Sequence, residues 1–193
     1  MTEKEKMLAQ ELYDADHDEE LIKERTRVKD ICFEYNNTKP SNIGKRNELM
    51  KKIIGNIKGE FLIEQPFICD YGYNIELGKN FYANHNLVIL DANKVKFGDN
   101  VLIGPNCSFY TSGHPTDVNL RKQYLEYAKP IEVGDNVWIG GNVAILPGVK
   151  IGDNVVIGAG SVVTKDIPDN SVAVGNPCKV VKQVWYIKWK VES

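Results

Sequence analysis

Between Ile131 and Val163 the chain repeats itself. Val133, Ile139, Ile145, Ile151, Ile157 and Val163 recur at six-residue intervals, and Val137, Val143, Val149, Val155 and Ser161 follow the first five at a distance of four. Gly134, Gly140, Gly152 and Gly158 directly follow four of the six. A helix repeats every ~3.6 residues and a strand every two, so neither alone gives a period of six. Short strands that turn a corner every sixth residue do. One aliphatic side chain then points inward, a small one fills the corner, and glycine permits the turn. Stacked coils of this kind form a parallel β-helix built on hexapeptides.

Upstream the same pattern is rougher. Phe97, Ile103 and Phe109 keep the interval, with Gly98 and Gly104 behind the first two. From Phe61 onward, Ile63, Ile68, Ile75, Leu77, Leu87 and Ile89 are inward candidates around the turns Tyr71-Gly72 and Gly78-Lys79. Val133 follows Phe109 by 24 positions, a multiple of the repeat, yet TSGHPTDVNLRKQYLEYAKP puts two prolines, Lys and Arg where aliphatics belong. The phase survives and the chemistry does not, which predicts a loop over about 110–130, extruded from the coil. Loops on a rigid scaffold are where function collects.

Residues 1–57 have a different rhythm. Leu21, Ile22, Val28, Ile31, Cys32 and Tyr35 recur at helical spacing among charges, and Met7, Leu8 and Leu12 suggest a shorter helix before them. Pro40-Ser41 opens a third, with Ser41 as N-cap, Leu49, Met50, Ile53 and Ile54 as its apolar face, and Gly55 as its stop. The open end of a solenoid exposes apolar rows, so a helical cap is mechanically expected. The β-helix then spans 58–180. The tail, 181–193, holds two of the three tryptophans and is expected to pack on a neighbouring subunit.

Composition narrows the class. With 42% hydrophobic and 26% charged residues the chain is an ordinary globular protein, and its formal net charge of −2 gives no basic footprint for a nucleic acid. No apolar run is long enough to span a bilayer, and the charged start MTEKEKMLAQ lacks a signal-peptide core, so a cytoplasmic location is expected without membrane contact. Cys32, Cys69, Cys107 and Cys178 form no C-x-x-C pair, which fits a reducing compartment; Cys107 falls on a small inward position. His17, His85 and His114 are the three histidines and lack paired spacing on the repeat, which argues against a γ-type carbonic anhydrase zinc site. No metal is expected.

KMLAQELYDAD at the N-terminus, NFYAN at 80–84, TSGHP at 111–115, VWIGGNV at 137–143, IGAGSVVTKDIPDNSVAVGNP at 157–177 and the final KVES carry a resemblance over nearly the whole chain. They resemble the sugar O-acetyltransferase branch of the hexapeptide acyltransferases, which contains maltose, galactoside and nodulation-factor enzymes. The resemblance implies a left-handed coil, where general rules favour right-handed crossovers and the spacing is silent. It further implies a homotrimer with active sites between subunits, acetyl-CoA as co-substrate and a sugar as acceptor.

His114 sits between Gly113 and Pro115 on the extruded loop, where an unsatisfied core histidine makes little sense. The resemblance makes it the base that deprotonates an acceptor hydroxyl, which attacks acetyl-CoA directly in a ternary complex. Ser112 and Cys107 are weak nucleophiles for an acyl-enzyme. Glu126, on the same loop, is placed to orient the other ring nitrogen of His114 or to contact the acceptor. Gly141 matches the family's oxyanion donor through its backbone N–H alone, since some relatives carry serine there.

For the acceptor, the resemblance assigns Asp70, Asn84 and Asp91, with Asp14 or Asp16 from the cap. Asp70 stands where galactoside enzymes carry serine, which implies a different sugar preference. Ala159, Thr164 and Lys165 match coenzyme A positions, and Lys179 and Lys182 stand where relatives have arginines near the nucleotide phosphates. A plain surface lysine is the alternative for Lys165. Trp138 flanks the acceptor or thioester, or forms a trimer contact. His17 reads as solvated and His85 as packed near the site. A serine or antibiotic acetyltransferase and a non-catalytic assembly protein are the rival functions, and the maltose-type cap and the TSGHP loop argue against them respectively.

Overall fold

The rows at six-residue intervals point inward, and the coil closes around them. Val133, Ile139, Ile145, Ile151, Ile157 and Val163 are at most 3% exposed, and the second row from Val137 to Ser161 is buried with them. Each such aliphatic contributes on the order of 1.5–3 kcal/mol by leaving water. The computed structural model describes residues 1–184 and is a left-handed parallel β-helix of about six turns behind an N-terminal helical region. The tryptophans of the tail lie outside the described residues.

Three parallel sheets form the faces of a triangular prism. The first face runs from Asn56–Ile57 through Ile75–Leu77, Val95–Phe97 and Ile131–Val133 to Lys150–Ile151. The second comprises Phe61–Ile63, Phe81–Ala83, Leu102–Ile103, Trp138–Ile139, Val156–Ile157 and Ser171–Val174, with Lys179–Gln183 added antiparallel. The third comprises Phe67–Cys69, Leu87–Leu90, Ser108–Tyr110, Ala144–Ile145 and Val162–Val163. Inside, Phe81, Phe97 and Phe109 stack edge to face with centroids 5.0 Å apart.

The corners between the first and second faces correct one sequence expectation. Asparagine, not glycine, takes the left-handed turn there: Asn100, Asn136 and Asn154 have φ of 57, 56 and 54°. Asparagine tolerates this region better than other side chains. Glycine serves the stacking instead. A Cβ on Gly134 would lie 2.7 Å from the carbonyl carbon of Gly152 in the next coil and would collide with Asp153 Oδ1. That aspartate accepts the Asp135 N–H at 2.7 Å, and Asp135 in turn accepts the Asp99 N–H at 2.7 Å.

The cap consists of α1 (Glu3–Leu8), the short strand Tyr13–Asp14, α2 (Glu19–Asn37) and α3 (Ile43–Ile53). Asn42, not Ser41, caps α3, accepting from the Lys45 N–H. α2 buries Leu21, Val28, Cys32 and Tyr35, and α3 buries Leu49, Met50 and Ile53. Leu12 lies beyond α1 and is exposed, as is Ile22. Asn36 bonds both the N–H and the carbonyl of Phe67 at 2.8 Å, satisfying the open edge of the first coil. Arg46 donates to Ile63 O at 2.8 Å and to Glu64 at 3.0 Å. The first coil strand, Asn56–Ile57, belongs to the solenoid although the sequence places it with the cap. Ile68 also departs from expectation: Phe67 and Cys69 point inward and Ile68 is 47% exposed, because alternation within a strand fixes one outward residue between two inward ones.

Candidate active site

The extruded segment leaves the third face after Tyr110 and rejoins the first at Ile131. Within it, Ser112–Gly113 pairs antiparallel with Leu125–Ala128, and the short helix Val118–Arg121 connects them, capped by Asp117. Gly113 lies against the Tyr127 ring, where a Cβ would sit 2.9 Å from Cζ. The outer strand also pairs with the cap, Tyr13 opposite Glu126 and Asp14 opposite Leu125. The loop is thus held in a three-stranded sheet.

His114 directly follows the inner strand. Its Nδ1 is 3.0 Å from the Leu125 carbonyl oxygen. A carbonyl only accepts, so Nδ1 carries the proton and Nε2 presents its lone pair. Glu126 Oε1 stands 3.9 Å from Nε2, and Glu126 Oε2 accepts from the Tyr13 hydroxyl at 2.6 Å. The other ring nitrogen is therefore oriented by a backbone carbonyl, not by Glu126, which corrects that part of the sequence expectation. Glu126 is on the Nε2 side of the ring.

Beside Glu126 opens a cavity of about 220 Å³, lined by Tyr13, Ala15, Asp16, Arg25, Asp70, Tyr71, Leu90, Ala92, Ser112 and Glu126. Arg25 donates to the Tyr71 hydroxyl at 2.8 Å and the Ala15 carbonyl at 2.6 Å, and lies 3.8 Å from Asp16. Burial pushes the Asp70 carboxyl above its ordinary range, opposed by Lys29 and Arg25. Carboxylate acceptors, hydroxyls and a small apolar wall together complement a polyol, whose hydroxyls donate and whose C–H faces need dry contact.

The structure separates the acceptor candidates. Asp16 lines the cavity, whereas Asp14 turns to the His17 ring and the backbone N–H groups of Asp16 and His17. Asp91 is corrected outright. It is wholly buried, with Oδ1 accepting the N–H groups of Asp70 at 3.0 Å and Tyr71 at 2.8 Å. Its Oδ2 has no partner among the described residues, and burial pushes the carboxyl up to about 7. Asp91 builds the corner that presents Asp70. Asn84 lies on another edge of the prism, between the second and third faces, accepting the His85 N–H at 2.7 Å. His85 is exposed rather than packed, with Nδ1 2.6 Å from Gln65 O. His17 is exposed as expected.

Gly141 and Ala159 follow second-face strands and share the edge of Asn84. Thr164 and Lys165 follow Val162–Val163 and share the edge of His114, two coils on, roughly 10 Å along the axis. Lys179 and Lys182 belong to the antiparallel strand. Ala159, Thr164 and the three lysines are all exposed, so a phosphate-bearing ligand would meet free backbone and cations. Trp138 is 56% exposed on the outer side of the second face. Within one chain the third face lies between the two edges, and no cofactor candidate reaches the cavity.

Sequence reasoning did not single out Tyr13 or Arg25. Arg25 left a signal: it interrupts the apolar stripe of α2 between Leu21 and Val28. Tyr13 left none, because its partner is 113 residues away.

The maltose acetyltransferase hexapeptide capping motif matches residues 6–59, and the six-repeat bacterial transferase hexapeptide matches residues 130–165. The galactoside O-acetyltransferase of Escherichia coli strain K12 is 46% identical over 182 residues, 91% of this chain and 90% of its own length. The chain belongs to the maltose/galactoside O-acetyltransferase family. Two solved structures share its fold closely. A maltose O-acetyltransferase from Clostridium difficile 630 is 52% identical with a TM-score of 0.93, covering 96% of this chain and 98% of its own. A galactoside acetyltransferase in complex with coenzyme A is 46% identical with a TM-score of 0.94, covering 100% of both chains. The family's capping motif thus falls on α1 to α3, and its repeats fall on the most regular coils. No helix among the described residues is long and apolar enough to cross a membrane.

Proposed function

We propose that this protein transfers the acetyl group of acetyl-CoA to a hydroxyl of a sugar by direct attack in a ternary complex. The observation that carries the reading is the His114 imidazole, whose Nε2 lone pair faces Glu126 beside a carboxylate-lined cavity. Bound acetyl-CoA supplies a thioester carbonyl open to attack. His114 Nε2 takes the acceptor hydroxyl proton as the new C–O bond forms, and returns it to the departing thiol as the C–S bond breaks. Leu125 fixes the tautomer throughout. Asp16, Asp70 and Glu126 accept from the remaining sugar hydroxyls, and the negative charge of Glu126 favours the transient imidazolium. The Gly141 N–H serves the developing oxyanion.

The site is completed by a second copy in a homotrimer. The outer residues of the first face alternate in charge, Glu76, Lys96, Glu132 and Lys150 standing in register. The second face presents Leu62, Tyr82, Leu102, Trp138 and Val156 in the same positions, and the third presents Ile68, Val88, Ser108, Ala144 and Val162, apolar but for the small Ser108. Two apolar faces and one charged face suit a prism that meets one neighbour on each apolar side and closes into a ring. A site shared between copies requires the edge of Asn84, Gly141 and Ala159 from one copy to approach the edge of His114, Asp70, Thr164 and Lys165 from the next.

The test is thiol release from acetyl-CoA against maltose, glucose, galactosides, chitooligosaccharides, serine and chloramphenicol, with His114→Ala alongside. Release with a sugar, reduced about 10²–10⁴-fold in the variant, is the expected outcome. Release confined to serine or chloramphenicol, or an unaffected variant, overturns the reading.

A further inference from the structure

The loop that carries His114 meets a cap residue that lies far from it in sequence. Tyr13 is 1% exposed and stands directly opposite Glu126 in the antiparallel pairing of Tyr13–Asp14 with Leu125–Ala128. Its hydroxyl donates to Glu126 Oε2 at 2.6 Å, a length typical of a charge-assisted O–H···O⁻ bond. A phenol has one proton to give, and here Glu126 receives it. That bond leaves Oε1 without a hydrogen bond among the described residues, 3.9 Å from His114 Nε2. The neighbouring residues of the same two strands hold the base: Asp14 faces Leu125, whose carbonyl accepts from His114 Nδ1.

We propose that Tyr13 is a positioning residue that fixes the Glu126 carboxylate, so that Oε1 is held as an acceptor for a sugar hydroxyl adjacent to the one His114 deprotonates. The inference rests on the sugar-acetylation reading of this site. Without the Tyr13 hydroxyl the carboxylate rotates about its side-chain torsions. The acceptor then loses a preformed contact, while the coenzyme A groove, built from other coils, keeps its own.

The experiment is a double-mutant cycle in the full-length protein. Tyr13→Phe, Glu126→Met and the double variant are assayed for kcat and KM with the best sugar acceptor and with acetyl-CoA, alongside thermal unfolding and His114→Ala. Tyr13→Phe is expected to lower kcat/KM for the sugar about tenfold and to leave KM for acetyl-CoA within about twofold. In the Glu126→Met background the same substitution is expected to change kcat/KM less than about twofold, because its target is gone. The apolar pair also leaves no unpaired carboxylate, so the double variant unfolds at a higher temperature than Tyr13→Phe alone.

A further tenfold loss on adding Tyr13→Phe to Glu126→Met overturns the proposal, since Tyr13 then acts through packing. That comparison holds even where Tyr13→Phe alone fails to fold. Activity that survives His114→Ala, or a wild type that acetylates no sugar, overturns the site reading and this inference together. Dependence on His114 with an additive cycle overturns this inference alone.

Discussion

Two edges of the same prism show opposite ways of turning a chain. Between the first and second faces the corner is made of Gly-Asp-Asn units, at 98–100, 134–136 and 152–154, that stack as copies. Each asparagine takes the left-handed turn, each aspartate accepts an N–H from the coil beside it, and each glycine leaves room for its neighbour. Between the third and first faces nothing repeats. Asn74, Asp91, Asn93 and Thr111 are buried polar residues there, each bonded to a different backbone group. Asn93 alone reaches Met7 O in the cap and Ala128 O in the loop. The regular edge supplies stability from local rules. The irregular edge carries the cavity, His114 and the cap, and each of its contacts is specific to its place.

The sharpest way to break the regular edge is Gly134→Ala. Its Cβ meets backbone that cannot move without shifting the next coil, so a loss of about 3 kcal/mol in denaturant-determined stability is expected. Most of the cost should remain at every pH, because the clash with the Gly152 backbone does not titrate.

Asp91→Asn tests the irregular edge and should behave in the opposite manner. Burial raises the Asp91 carboxyl from 3.8 to about 7, with the nearby Asp70 charge adding to the rise and the Tyr71 and Asp70 N–H groups opposing it. Between about pH 4 and 7 the folded state holds a proton that the unfolded chain has released. This group's contribution to stability is therefore full below pH 4, falls as pH rises to 7, and is level beyond. Asparagine keeps an oxygen for the two N–H groups and removes the titration. Comparing urea unfolding at pH 5 and pH 8, the variant should lack about 2 kcal/mol of the pH-dependent loss seen in the wild type. An unchanged pH dependence would show that Asp91 stays ionised across this range.

The smallest effect returns to the regular edge. Asn136→Ala should cost about 1 kcal/mol for its φ of 56°, and Asn136→Gly should recover most of it. Equal losses for both would assign the role of Asn136 to its side-chain ladder with Asn100 rather than to the turn.

The sequence by itself determined the coil. A period of six has few structural solutions, and the two inward rows from Val133 to Val163 are read correctly because burial of each member depends only on its place in a local repeat. His114 was also legible, as a glycine-framed histidine in a segment that keeps phase and loses pattern. Where strands are irregular, at Ile68, the inward residue was misread, since one-residue errors invert a strand. Only the tertiary structure decided the rest of the site. Whether Asp14 or Asp16 faces the cavity, that Asp91 is a buried brace, and that Tyr13 holds Glu126 all depend on a cap strand meeting a loop more than a hundred residues later. Such pairings leave no periodic trace, because each is formed once, by packing that brings together segments the sequence keeps apart.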